Sequence, residues 1–207
     1  LNQRINHFNS VALLRKMKGV EFVKKPVIWV VVGVMVLCLI SGIGMYNGMV
    51  ADNENIDNKW GDVENYLQRR ADLIPNLVET TRAYAAQETK IFTGIAEARA
   101  KLAGANTVAE KAQADAELSG ALSRLLVVVE RYPQLKSNQN FQQLADELAG
   151  TENRLAVARK DYNAAVRAYN TRIKKFPGNI VAGMAGFEPR EYFEAAEGTQ
   201  KAPQVKF

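Results

Sequence analysis

Arg69, Arg70, Asp72 and Glu79 fall close together in the chain, and Glu152, Asn153 and Arg154 form a second polar knot far downstream. Carboxylates and guanidiniums brought together could bind a small polar ligand or serve as general acid and base. Groups of this kind more often pair with one another and fix the register of packed helices, or they sit on solvated faces. The structural role is the expectation here, and no residue is assigned as catalytic, cofactor-binding or metal-ligating.

Composition removes several other chemistries. A single cysteine, Cys38, permits neither an intrachain disulfide nor a cysteine-based zinc site, and a single histidine, His7, permits no His cluster or His-paired nucleophile. Gly178, Gly183 and Gly186 are spaced unlike a phosphate-binding loop, and no strand is expected before them. The segment they punctuate is expected to be a close-packed cap on the open end of a bundle, with Ile180, Val181, Met184, Phe187, Tyr192 and Phe193 as its apolar contacts. Contact with lipid or a partner helix is the second reading of that segment. Tyr162-Asn163 and Tyr169-Asn170 lie one heptad apart, which predicts interhelical hydrogen bonds. Trp60 is expected to pack on the first helix.

Helices must position these groups. The 207-residue chain is rich in Ala, Leu, Glu, Lys, Gln and Arg from Ala51 to Lys175, a bias that favours helix. The net charge of +5 is confined to residues 1–25, where six basic residues face Glu21 alone. The remainder is neutral, so the charge gives no support to nucleic-acid binding.

No charged side chain occurs from Pro26 to Ala51, and Val27 to Met45 is almost wholly apolar. Those nineteen residues span about 28 Å as helix, which matches the hydrocarbon core of a bilayer. Trp29 and Tyr46 stand near its ends, where aromatic rings favour the headgroup layer. The run is longer than a signal-peptide core and lacks a clear cleavage site, so an uncleaved anchor is expected. Six Lys and Arg precede the span, whereas Asp52, Glu54 and Asp57 follow it. The positive-inside rule then leaves the N-terminus in the cytoplasm and the main domain outside it. Gly44 and Gly48 form one GxxxG, a pattern better explained by packing than by function. Residues 8–25 read either as a lipid-contacting surface helix or as a flexible tail, since Gly19 interrupts their pattern.

Three periodic stretches follow. The first, from about Met49 to Leu102, carries one seam through Ile56, Trp60, Val63, Leu67, Ile74, Val78, Ala85, Phe92 and Ile95, interrupted by Glu88 and Arg99. Pro75 removes the hydrogen bond to the Ala71 carbonyl, which predicts a kink; a fresh start capped by Asp72 is the rival. The second runs from the turn at Gly104–Thr107 to about Tyr132, where Pro133 stops it. The third, with Leu148, Leu155, Tyr162, Tyr169 and Ile173 on its seam, has the 3.5-residue period of a coiled coil and ends at Pro177-Gly178. The first stretch is about twice as long as the second, so part of its seam is expected to lack an intrachain partner and self-association follows.

Five blocks also carry a resemblance. They are Arg69–Thr80 (RRADLIPNLVET), Leu148–Arg154 (LAGTENR), Asp161–Asn170, Phe176–Asn179 (FPGN) and Gly186–Phe193 (GFEPREYF). In this order they resemble the LemA family over roughly residues 46–195. The resemblance implies a membrane-anchored helical bundle without a recognised catalytic centre. The basic residues before the span are a departure from most members, and they are similar to the extensions of LemA-like proteins of magnetosome-forming bacteria, which help build the magnetosome membrane.

The expected fold is all-α. A basic segment (1–25) leads into a transmembrane helix (26–46), an elongated antiparallel up-and-down bundle of three to four helices (47–195) and a flexible tail (196–207). The expected function is that of a non-enzymatic envelope scaffold acting by self-assembly or partner binding. Its rivals are a membrane-shaping role, as in magnetosome formation, and a ligand-binding sensor. Expected partners are membrane lipid, further copies of the chain and other membrane proteins, with no nucleic acid and no cofactor.

Overall fold

The structure, a computed structural model, describes residues 2–194 and the side chains of 27–194. The side chain of Pro26, the lipid contacts expected of residues 8–25 and the tail expected at 196–207 lie outside the described residues. The chain forms two compact units, Leu1–Gly48 and Met49–Phe207. Six helices and no strand are found among the described residues.

The first helix, α1 (Asn2–Arg82), supplies the first unit. From Val27 onward it is long and apolar enough to cross a membrane, and none of that apolar window is buried. Trp29 is 75% exposed, and valines, leucines and isoleucines as far as Ile43 are exposed with it. A core helix would hide such a surface, whereas a bilayer is the solvent that suits it.

The second unit starts with the rest of α1, which continues through Pro75 without a fresh start at Asp72. The Ala71 carbonyl that Pro75 leaves without its helical donor accepts instead from Arg99 Nε at 2.9 Å. Arg99 is one of the two polar interruptions in the seam, and this bond accounts for it.

The expectation of a single helix from Met49 to Leu102 is corrected. α1 ends at Arg82, and α2 (Thr89–Gly104) returns after a tight turn. The turn contains neither Gly nor Pro. Tyr84 and Ala85 both donate backbone N–H to the Thr81 carbonyl, and Ala85 is fully buried within the bend. Remote groups hold it closed: Asn138 Nδ2 donates to Tyr84 Oη at 3.0 Å, Gln87 Nε2 donates to Tyr132 Oη at 2.8 Å, and Arg131 pairs with Glu88 at 3.0 Å.

α3 (Val108–Val129) opens with a complete capping box, in which Thr107 Oγ1 accepts from the Glu110 N–H and the Glu110 carboxylate accepts from the Thr107 N–H. Backbone bonds from Asn106 and Thr107 hold the Glu110 carboxyl below its usual range. The Glu110 half of the box is therefore fully formed at neutral pH and weakens as pH falls through that lowered value. The short α4 (Pro133–Lys136) precedes α5 (Gln139–Lys174), whose 36 residues reach about 54 Å. After Pro177, α6 (Gly178–Ala185) ends at Gly186, which has φ 74°. That left-handed conformation suits glycine at a helix C-terminus. Residues 187–194 then form an extended strap.

α5 runs antiparallel to α1, as ion pairs show at both ends: Arg69 with Glu147 at 2.7 Å and Arg172 with Asp52 at 3.1 Å. The α2–α3 hairpin covers the later part of α1, through Lys111–Glu64 at 2.6 Å and Arg82 over the Phe92 ring at 5.3 Å. The strap covers the earlier part, where Arg190 bonds Asn53 and Asp57. Met49, Ile56 and Val63 are consequently fully buried within one chain. The unpartnered length of seam expected from the unequal helices is thus not present; α5 and the strap fill it.

Candidate functional site

The buried charge of the bundle is gathered in one place. Arg70 projects from α1 with 4% of its side chain exposed, and its Nη1 donates to Asp115 Oδ1 on α3 at 2.5 Å. Its Nη2 donates to Ser119 Oγ at 2.8 Å. Arg159 of α5 bonds the other Asp115 oxygen, and Glu152 lies 3.0 Å from Arg70 and 3.7 Å from Arg159. Two guanidiniums and two carboxylates therefore close a formally neutral quartet across α1, α3 and α5. Burial pushes the Asp115 carboxyl above its usual range, while Arg70 and Arg159 pull it back down. Arg70 Nε, Arg159 Nε and Glu152 Oε2 have no hydrogen-bond partner. Three helices are cross-linked at one level, which fixes their register.

The polar residues singled out in the sequence scatter around this quartet. Arg70 and Glu152 join it. Arg69 pairs with Glu147, Asp72 accepts from Gln68 at 2.9 Å, and Glu79 pairs with Arg82 at 3.2 Å, all near the surface. Asn153 and Arg154 are exposed and line a shallow depression with Asp62, Tyr66 and Asp161. The sequence did hold a sign of Asp115. It stands three residues before Leu118, on the seam that continues through Leu122, Leu125 and Val129, and a charge on a core seam requires a buried partner.

A second arrangement binds the strap. On the α5 seam Leu155, Tyr162, Tyr169 and Ile173 are buried and Leu148 is half-buried. The adjoining Asn163 exchanges two hydrogen bonds with the Phe193 backbone, at 2.9 and 2.8 Å, and Asn170 exchanges two with the Arg190 backbone, both at 2.9 Å. Tyr162 Oη donates to the Glu191 carbonyl at 2.8 Å, and Tyr169 Oη to the Glu188 carbonyl at 3.1 Å. One heptad of helix rises about 10 Å, and three extended residues cover about the same length. The repeat of the two pairs therefore matches the pitch of the strap. These residues hold an extended segment rather than another helix, which corrects the interhelical bonding expected of them. Burial pushes both phenols up, with Arg190 acting the other way, so they remain donors near neutral pH.

The two arrangements touch. Phe193 packs 6.2 Å from the Trp60 ring, Trp60 lies 5.2 Å from Tyr162, and the Arg159 guanidinium sits 5.0 Å over Phe193. Replacing Asn170 by alanine strips both backbone partners from Arg190 and is expected to cost about 1–3 kcal/mol. Hydrogen exchange at residues 187–194 should accelerate well beyond that of α3. Unchanged exchange would show that the asparagines do not hold the strap.

Residues 59–207, which contain the quartet and the strap, match the LemA family. This chain belongs to the LemA family. Among its relatives are the magnetosome proteins MamQ 1 and MamQ 2 of Paramagnetospirillum magneticum, each 32% identical over 178 residues, a match covering 72% of this chain and 64% of theirs. Magnetosome protein MamQ of Magnetospirillum gryphiswaldense is 30% identical over 174 residues, with the same two coverages. Protein LemA of Metamycoplasma hominis is 24% identical over 160 residues, 75% of this chain and 71% of that one. The chain thus spans about 64% of the length of the magnetosome proteins it matches. For this LemA-family member, two of the quartet's four residues, Arg70 and Glu152, and both Tyr-Asn pairs with their strap fall on blocks that carry the resemblance, whereas Asp115 and Arg159 lie outside those blocks.

Proposed function

We propose that this chain is a membrane-anchored, non-enzymatic scaffold that serves the formation or upkeep of an intracellular bacterial membrane of the magnetosome kind. The observation that carries the reading is an apolar helical stretch, none of whose apolar window is buried, joined to a bundle similar to MamQ proteins. The packing supports it. The buried charges neutralise one another across three helices, an arrangement that suits a role in fixing helix register. In this reading residues 1–25 face the cytoplasm and the bundle lies on the other side or in an organelle lumen, as the flanking charges require. The anchored bundle acts by lateral association with further copies or other membrane proteins through its outer faces. Arg69, Asp72, Glu79, Asn153 and Arg154 belong to those faces.

Immunogold electron microscopy of the source cells tests this. Label concentrated on intracellular membrane, together with a crosslinking ladder from native membranes, is the expected result. Label spread evenly through the cytoplasm, or material recovered only in the soluble fraction, would overturn the reading.

A further inference from the structure

Ile180 and Met184, four residues apart on one face of α6, are 52% and 86% exposed, and Phe176, two residues before the helix begins, is 80% exposed. The opposite face is fixed to the bundle, with Gly178 and Ala182 buried. Gly178 lies so close to the Met49 side chain and the Arg172 carbonyl that a Cβ there would stand 3.2 and 2.5 Å from them. Met49 follows Tyr46, at the end of the apolar span, by three residues, at most about 11 Å of chain. Lys174 and Lys175 immediately precede this face, are exposed, and pair with no carboxylate among the described residues. An apolar face edged by free cations, in a bundle joined to a membrane span by a short length of chain, suits the headgroup layer of an anionic bilayer.

We propose that the face formed by Phe176, Ile180 and Met184 rests in the headgroup layer of a bilayer containing anionic lipid, with Lys174 and Lys175 on its phosphates. A second copy of the chain is a poorer occupant. Three side chains offer far less than the roughly 800 Å² per partner of a stable protein interface. Lipid needs no complementary shape, and the tether raises its effective concentration so that a small face suffices. α6 then sets how the bundle stands on the membrane.

This inference rests on the apolar helix being a membrane anchor, and the test separates the two. In a Cys38→Ser background the full chain is labelled with an environment-sensitive fluorophore after Met184→Cys, Val36→Cys or Ala86→Cys. Each is reconstituted in phosphatidylcholine–phosphatidylglycerol vesicles containing spin-labelled lipid. Labels at 36 and 184 are expected to lose most of their emission, and the label at 86, in the turn after α1, to keep it. Adding Lys174→Glu and Lys175→Glu should restore much of the emission at 184 and none at 36. Quenching at 36 with none at 184 would overturn this inference and leave the anchor standing. A blue shift at 184 without quenching would assign the face to protein and overturn it as well. Failure at 36 would remove the anchor and the inference together.

Discussion

Replacing Asp115 by asparagine is expected to lower the unfolding free energy by roughly 3–5 kcal/mol, a cost typical of stripping one partner from a buried ion pair. Asp115 is 2% exposed and accepts hydrogen bonds from both Arg70 and Arg159. An amide keeps the shape but withdraws the charge, leaving two guanidiniums in the interior with only the half-exposed Glu152 to balance them. The loss should appear as a drop of about 10 °C in the thermal midpoint, followed by far-ultraviolet circular dichroism of the detergent-solubilised chain. A companion variant gives the expectation its sharper edge. Arg70→Met, Asp115→Leu and Arg159→Met together replace the charged centre by apolar groups of similar size and should fall within about 1–2 kcal/mol of the parent. An Asp115→Asn midpoint equal to that of the parent would show that the quartet is not coupled in the folded protein. If the triple variant folds and still localises and crosslinks normally, the charges serve helix register and nothing more.

Tyr162→Ala carries the second large expectation, a loss of about 3–5 kcal/mol, as for other buried aromatic truncations. The side chain is 1% exposed and packs on Trp60, while its hydroxyl holds the strap at Glu191. Tyr162→Phe separates the two contributions: it retains the ring and should cost about 1 kcal/mol, the usual net worth of one hydrogen bond. Limited proteolysis should then cut the strap quickly in Tyr162→Ala and slowly in Tyr162→Phe. Equal cutting rates for the two would mean that the ring contact does not seat the strap, and a global midpoint unchanged in Tyr162→Ala would contradict the core placement.

The strap makes this bundle unlike a simple row of helices. α5 is far longer than α2 or α3, so the hairpin they form cannot cover it throughout. An extended segment completes the remaining length because asparagine side chains on α5 present an amide donor and acceptor at the pitch the strap needs. Phe193 then packs against Trp60 and under the Arg159 guanidinium, so the end of the strap touches one member of the charged quartet.

The residues alone determined the local features. Periodicity assigned helix and the buried faces of Ile56, Val63, Leu118, Leu155, Tyr162 and Tyr169. The uncharged run from Val27 to Met45 identified the apolar helix, and the ordered blocks from Arg69 to Phe193 pointed to the family. Periodicity reports only on groups a turn or two apart, which is why it could not see where α1 ends. The seam keeps its phase through the bend, and the groups that close it, Tyr132 and Asn138, come from remote parts of the chain. Tertiary structure likewise decided that Arg70 meets Asp115, 45 residues away, and that Tyr162 and Asn163 hold a strap 29 and 30 residues further on. A buried charge or amide needs a partner wherever the chain can bring one, and that demand acts through space, so only the packed helices show which partner answers it.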